Sequence, residues 1–252
     1  MLRTMHHPGK GALMFTLNRQ PPQTIYSTPA SGIALQPLMR QVYIWMGLGT
    51  LLTAGIAYYT LHSSLLTLAL QPGTLLVALL VELGLVLGLS FGLRRISPTV
   101  AVALFFVYAA VNGFTLSVVL FAVGLGTAFT AFLTTAALFG VMSVFAFTTT
   151  MDLTRIGTYL IIGVIGLVIA MVINVFLASS ALDLFISLVG VVVFTGLTAY
   201  DTQRIGQMAA SMGATKDDNT ARFAIFGALK LYLDFINLFL FLLRLMGGGR
   251  RR

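Results

Sequence analysis

The stretch IGTYLIIGVIGLVIAMVINVFLA, residues 156–178, runs for 23 positions without a charged side chain. At ~1.5 Å of rise per helical residue it can cross a hydrocarbon core of ~30 Å. Six further stretches share its apolar character, near residues 41–61, 74–95, 98–121, 127–149, 181–208 and 222–246. Ser97-Pro98 is a helix start signal for the third span. Inside lipid every backbone N–H and C=O must be satisfied, which leaves helices and closed barrels, and none of these stretches shows the period-2 alternation of a barrel strand. The sequence therefore predicts an all-α membrane protein with seven transmembrane helices.

The composition agrees. Of 252 residues 58% are hydrophobic and 9% charged, with a mean hydropathy of +0.97. Seven acids cannot coat a soluble surface of that size, and a chain this apolar is not disordered. The net charge of +8 does not indicate nucleic acid, because the basic residues gather at the two ends and in short links between apolar runs. The partner this chain requires is the lipid bilayer. With no cysteine it has no disulfide framework, thiolate nucleophile or thiolate-ligated metal.

Residues 1–40 contain five prolines and one short apolar patch, Gly11 to Leu17, too weak for the core of a cleavable signal. They read as a retained, flexible cytoplasmic tail, followed by a seven-helix domain over 41–246 and a basic tail over 247–252. Arg94 and Arg95, then Arg155, then Arg204, Lys216 and Arg222 fall in the second, fourth and sixth links, while the first, third and fifth links lack Lys and Arg. By the positive-inside rule the N-terminus is cytoplasmic. Seven spans leave Arg250-Arg251-Arg252 outside, and six spans with a re-entrant last segment are the alternative. Gly84, Gly88 and Gly92 make a smooth stripe on the second span, suited to a close neighbouring helix.

An ionisable group at membrane depth costs at least ~2.5–3.5 kcal/mol at a helix centre, so it tends to face protein or water. Glu82 lies mid-way along the second span, and Asp201, Lys230, Asp234 and Arg244 lie in the last two. Asp152, Asp183, Asp217 and Asp218 read as helix caps or solvated charges. Counted from the cytoplasmic helix ends, Asp201 and Asp234 reach depths of roughly 10 and 18 Å, close enough to meet across a tilted helix pair. Two carboxylates so placed cannot both ionise easily and would titrate as a unit. The alternative is local pairing, of Lys230 with Asp234 at i, i+4 and of Arg204 with Asp201 at i, i+3. Glu82 would line the same path or pair with Lys230 or Arg244, the ion pair being preferred. Asn112, Asn174 and Asn237 are expected to cross-link helices.

Two segments, FTGLTAYDTQRI at 194–205 and LYLDFINLFL at 231–240, resemble the signature segments of the Bax inhibitor-1 family, the transmembrane Bax-inhibitor-motif proteins. The resemblance implies a fold in which the last helix runs through the centre of a bundle of the other six. It maps the family's paired aspartates onto Asp201 and Asp234, as a pH-sensing dyad gating a passive Ca²⁺ leak. It also implies a latch from a basic residue at the end of the second span to Asp201, with Arg94 and Arg95 both eligible. Lys230 departs from the family pattern, which usually has a small or uncharged polar residue there, and would pair with Asp234 and alter gating. The long loop with Lys216, Asp217 and Asp218 is a second departure.

Two carboxylates with carbonyls and water would hold Ca²⁺ weakly, as conduction requires. Ca²⁺ and protons are then transported or sensed ions, and no cofactor is implied. Neither an H-E-x-x-H zinc motif, nor a G-x-S-x-G elbow, nor a phosphate-binding G-x-x-x-x-G-K-[ST] loop occurs, so the chain does not read as an enzyme. The rival reading is a regulator that docks a membrane partner such as a quality-control protease. The family's bacterial spread points to an inner membrane.

Overall fold

The computed structural model describes residues 37–92, 96–212 and 218–248. Eight helices occupy these residues: α1 Pro37–Leu61, α2 Leu65–Ala69, α3 Pro72–Gly92, α4 Pro98–Val123, α5 Leu125–Thr148, α6 Thr154–Leu177, α7 Ser180–Met212 and α8 Asp218–Gly248. All but the short α2 are long and apolar enough to cross a membrane. The helical domain begins at Pro37 rather than residue 41, and α7 and α8 each run about one turn further toward their shared loop than hydropathy indicated. Arg94 and Arg95, most of the N-terminal tail and the terminal arginines lie outside the described residues.

Local chemistry explains the breaks. Three helices, α1, α3 and α4, open on proline, whose fixed φ suits the first turn and whose missing N–H is not needed there. The Ser97 side chain accepts from the Val100 N–H at 3.3 Å and caps α4. Gly124, at φ 84°, turns the chain directly from α4 into α5, a conformation closed to most side chains. α6 ends on Ala178 in the left-handed region, with the Asn174 side chain accepting from the Ser179 N–H at 3.1 Å.

α8 is the central helix. Of its most apolar window 72% is buried inside the protein, against 11% for α3 and 6% for α6. α1, α4, α5 and α7 pack along it, α3 rides on α4, and α6 rides on α7. Lipid tails are as apolar as leucine, so hydrophobicity alone does not sort helices in a bilayer; packing and polar groups do. α6 is apolar almost throughout and loses nothing by facing lipid, where Val175 and Phe176 stand exposed. α8 carries Lys230, Asp234 and Asn237 in its middle and would suffer there.

Aromatic side chains lock α8 in place. Tyr232 meets Phe105 and Tyr108 of α4 edge-on at centroid distances of 5.6 and 5.8 Å, and Phe235 meets Phe132 and Phe139 of α5 at 5.7 and 5.6 Å. α1 and α4 approach so closely that a methyl at Gly113 would sit 2.5 Å from the Thr53 carbonyl oxygen. Gly84, Gly88 and Gly92, by contrast, meet nothing within 4 Å, so the stripe on α3 packs against no helix of the described chain.

Candidate functional site

Both signature segments lie at the α7·α8 contact. Asp201 falls in a run of α7, Leu197 to Thr202, that is buried residue after residue, and Asp234 lies on the central helix. They are 2% and 5% exposed. The two carboxyls lie within electrostatic reach of each other across the helix pair, and Asp234 Oδ2 is buried without a hydrogen-bond donor.

Lys230 completes the group. Its ammonium donates to Asp201 Oδ1 on the facing helix, while remaining within electrostatic reach of Asp234. This corrects the expected local pair between Lys230 and Asp234. The second local pair also fails to form: Arg204 donates to the Tyr200 hydroxyl instead of binding Asp201. The Tyr200 ring serves both cations, with Lys230 Nζ 5.7 Å and Arg204 Cζ 5.8 Å from its centroid. The side chain of Lys230 is 34% exposed and that of Asp201 3%, so the charged group has an exposed side and a buried side.

Glu82 does not belong to this group, nor does it form the expected ion pair with Lys230 or Arg244. Its Oε1 accepts from the Thr115 hydroxyl at 2.6 Å, and the chain of polar contacts continues through α4. Asn112 Oδ1 accepts from the Tyr232 hydroxyl at 3.2 Å, and that hydroxyl lies 2.7 Å from Thr53 Oγ1, which is also 2.8 Å from the Ala109 carbonyl oxygen. α3, α4, α8 and α1 are thereby joined at membrane depth. Asn112 thus cross-links helices as expected, but Asn174 serves its own helix end and Asn237 donates to Leu233 of its own turn. Arg244 lies over the Phe241 ring, 5.7 Å from its centroid, and donates to the Met171 sulfur at 3.8 Å. The expected latch residues Arg94 and Arg95 lie outside the described residues.

Two features escaped the sequence reading. Gln203 reaches from α7 into the α5–α6 link, donating to the Met151 carbonyl and accepting from the Leu153 N–H, both at 2.9 Å. One primary amide thus satisfies two loop backbone groups and ties the first signature segment to the neighbouring link. In that link Asp152 accepts from the Thr154 N–H at 3.0 Å, and hydrogen bonding to the Thr154 hydroxyl, then to its N–H, holds the carboxyl below the ordinary aspartate range. Tyr200 is the other: its ring covers Gly157 of α6 so closely that no larger residue fits beneath it.

As a cation site the arrangement offers hard oxygen donors and little else. Among the described residues no three His, Cys, Asp or Glu side chains gather as a metal-binding group. Two carboxylates completed by water suit a loosely held Ca²⁺ rather than a caged one.

The family model described as "Inhibitor of apoptosis-promoting Bax1" matches residues 35–251. An uncharacterized protein of Deinococcus radiodurans is 46% identical over 217 residues, covering 86% of this chain and 92% of its own length. The inner membrane protein YbhL of Escherichia coli K12 is 39% identical over 236 residues, 93% of this chain and 100% of YbhL. A third relative, from Borreliella burgdorferi, is 42% identical over 216 residues, 84% of this chain and 92% of its own length.

Proposed function

Because the chain belongs to the Bax inhibitor-1 family, we propose that it is a passive, pH-sensitive Ca²⁺ leak of the inner membrane, gated by Asp201 and Asp234. One observation carries this reading: two buried carboxyls, one on α7 and one on the central helix, lie within interaction range of each other, with one oxygen left without a donor. Buried polar atoms are nearly always paired, and an orphaned carboxylate oxygen in a bundle suits an ion that comes and goes.

Ionised, the pair draws a divalent cation. Protonated, it loses that attraction and its hold on basic neighbours together, so flux follows pH through the two as a unit. Arg94 or Arg95 is the proposed latch on Asp201 at the cytoplasmic end of α3. The N-terminus is proposed to be cytoplasmic from the charge of the links. Inner-membrane residence rests on the likeness to YbhL.

The test is Ca²⁺ flux through the purified full-length chain in liposomes, across pH and without any other protein. Flux that changes with pH supports the leak. Silence, with a membrane protease co-purifying in stable proportion, would replace it with the regulator reading.

A further inference from the structure

We propose that the Lys230 ammonium is a tethered counter-ion, seated where a metal cation would sit on the Asp201–Asp234 pair, and that a divalent cation binds there only by displacing it. The inference rests on the cation-site reading above and adds a residue that sets the affinity of that site.

Four observations support it. Lys230 makes the one salt bridge among the described residues, and makes it to the dyad from the helix that carries Asp234. The dyad keeps spare capacity, since Asp234 Oδ2 is buried without a donor even with the lysine in place. The lysine has somewhere to go: its side chain is a third exposed, so its head can swing outward, and the Tyr200 ring that it already lies against, 5.7 Å from the centroid, does not anchor it to Asp201. Finally, Arg204, the nearest described arginine on α7, does not stand in for it, because it is engaged with the Tyr200 hydroxyl. From α1, Tyr43 approaches the site only as a neutral hydroxyl near Thr202.

Charge balance requires the displacement. Two carboxylates neutralise one divalent cation; with the ammonium still seated, the cluster would carry an excess positive charge in a setting where water screens it poorly. A flexible, strongly hydrated lysine head can leave by rotating its stem, whereas a structural partner would stay.

The experiment uses Tb³⁺, an oxygen-seeking stand-in for Ca²⁺, with the full-length chain in lipid nanodiscs; Tyr200 is placed to sensitise its emission. Lys230→Gln should lower the half-saturating Tb³⁺ concentration about tenfold or more, Lys230→Arg should leave it near wild type, and the gain should vanish when Asp201→Asn is added. Equal half-saturation in wild type and Lys230→Gln would overturn the lysine proposal while leaving the cation site standing. Absence of Tb³⁺ binding in every variant would overturn both. A wild-type measurement serves if Lys230→Gln fails to fold. Saturating Tb³⁺ should raise acetylation of Lys230 by acetic anhydride, read by mass spectrometry against Lys10 and Lys216. Unchanged acetylation with Tb³⁺ bound would contradict displacement.

Discussion

Lys230 of α8 pairs with Asp201 of α7 and not with Asp234, its neighbour four residues along the same helix. The lysine therefore joins two helices instead of bracing one turn, and its charge is spent where the two signature segments meet. A single pair of this kind is worth little when water can replace either partner, but removing one partner of a buried pair can cost several kcal/mol.

A mutant cycle follows from this. Lys230→Met and Asp201→Asn, made singly and together, should show a coupling of about 1 kcal/mol in unfolding from mixed detergent micelles, discounted for the lysine's exposure. The Lys230 and Asp234 cycle should give less. A larger coupling to Asp234 would restore the local pair.

That relationship also marks what the sequence could convey. The i, i+4 spacing of Lys230 and Asp234 is visible in any helix, whereas the rotation of α8 against α7 that aims Lys230 at Asp201 depends on Tyr232 and Phe235 packing into α4 and α5. The seven spans were legible because each must satisfy a bilayer by itself, residue by residue. The partner of Glu82 was not: charge arithmetic searches for a cation, and Thr115 answers with a hydroxyl. Nor was the α3 glycine stripe interpretable, because spacing of four describes a smooth face without saying whether protein or lipid lies against it.

The polar chain through Tyr232 should be a fastener between helices. Tyr232→Phe removes the hydroxyl shared by Asn112 and Thr53 and should cost about 1 kcal/mol. Thr115→Val should cost more than Glu82→Gln, since the first removes the hydroxyl that donates to Glu82 at membrane depth and the second keeps an oxygen for Thr115. Thermal denaturation in detergent orders the three. A harmless Thr115→Val would mean that water already solvates Glu82.

Gln203 should matter for the α5–α6 link more than for the dyad. Gln203→Ala leaves the Leu153 N–H and Met151 carbonyl without their side-chain partner. Hydrogen exchange near 151–154 should speed by about tenfold, while exchange in α8 stays as in wild type. Equal acceleration in both regions would show that the clamp holds the whole bundle.

Orientation is open to labelling, because the natural chain has no cysteine. Single cysteines at Ser64 and Ser180 should react with an impermeant thiol reagent from outside intact cells, and those at Ser97, Thr154 and Ser211 only after permeabilisation. External labelling of Ser211→Cys would invert the proposed topology.

The most direct test of the dyad is Ca²⁺ efflux from proteoliposomes carrying Asp201→Asn, Asp234→Asn or both, between about pH 5 and pH 8. Asparagine keeps the size and hydrogen bonding while removing the charge. Asp201→Asn should flatten the pH dependence, Asp234→Asn should lower the flux, and the double variant should depart strongly from the product of the two effects. Wild-type flux in both single variants across that range, with the proteins folded and inserted, would contradict the account and leave the two aspartates as structural groups.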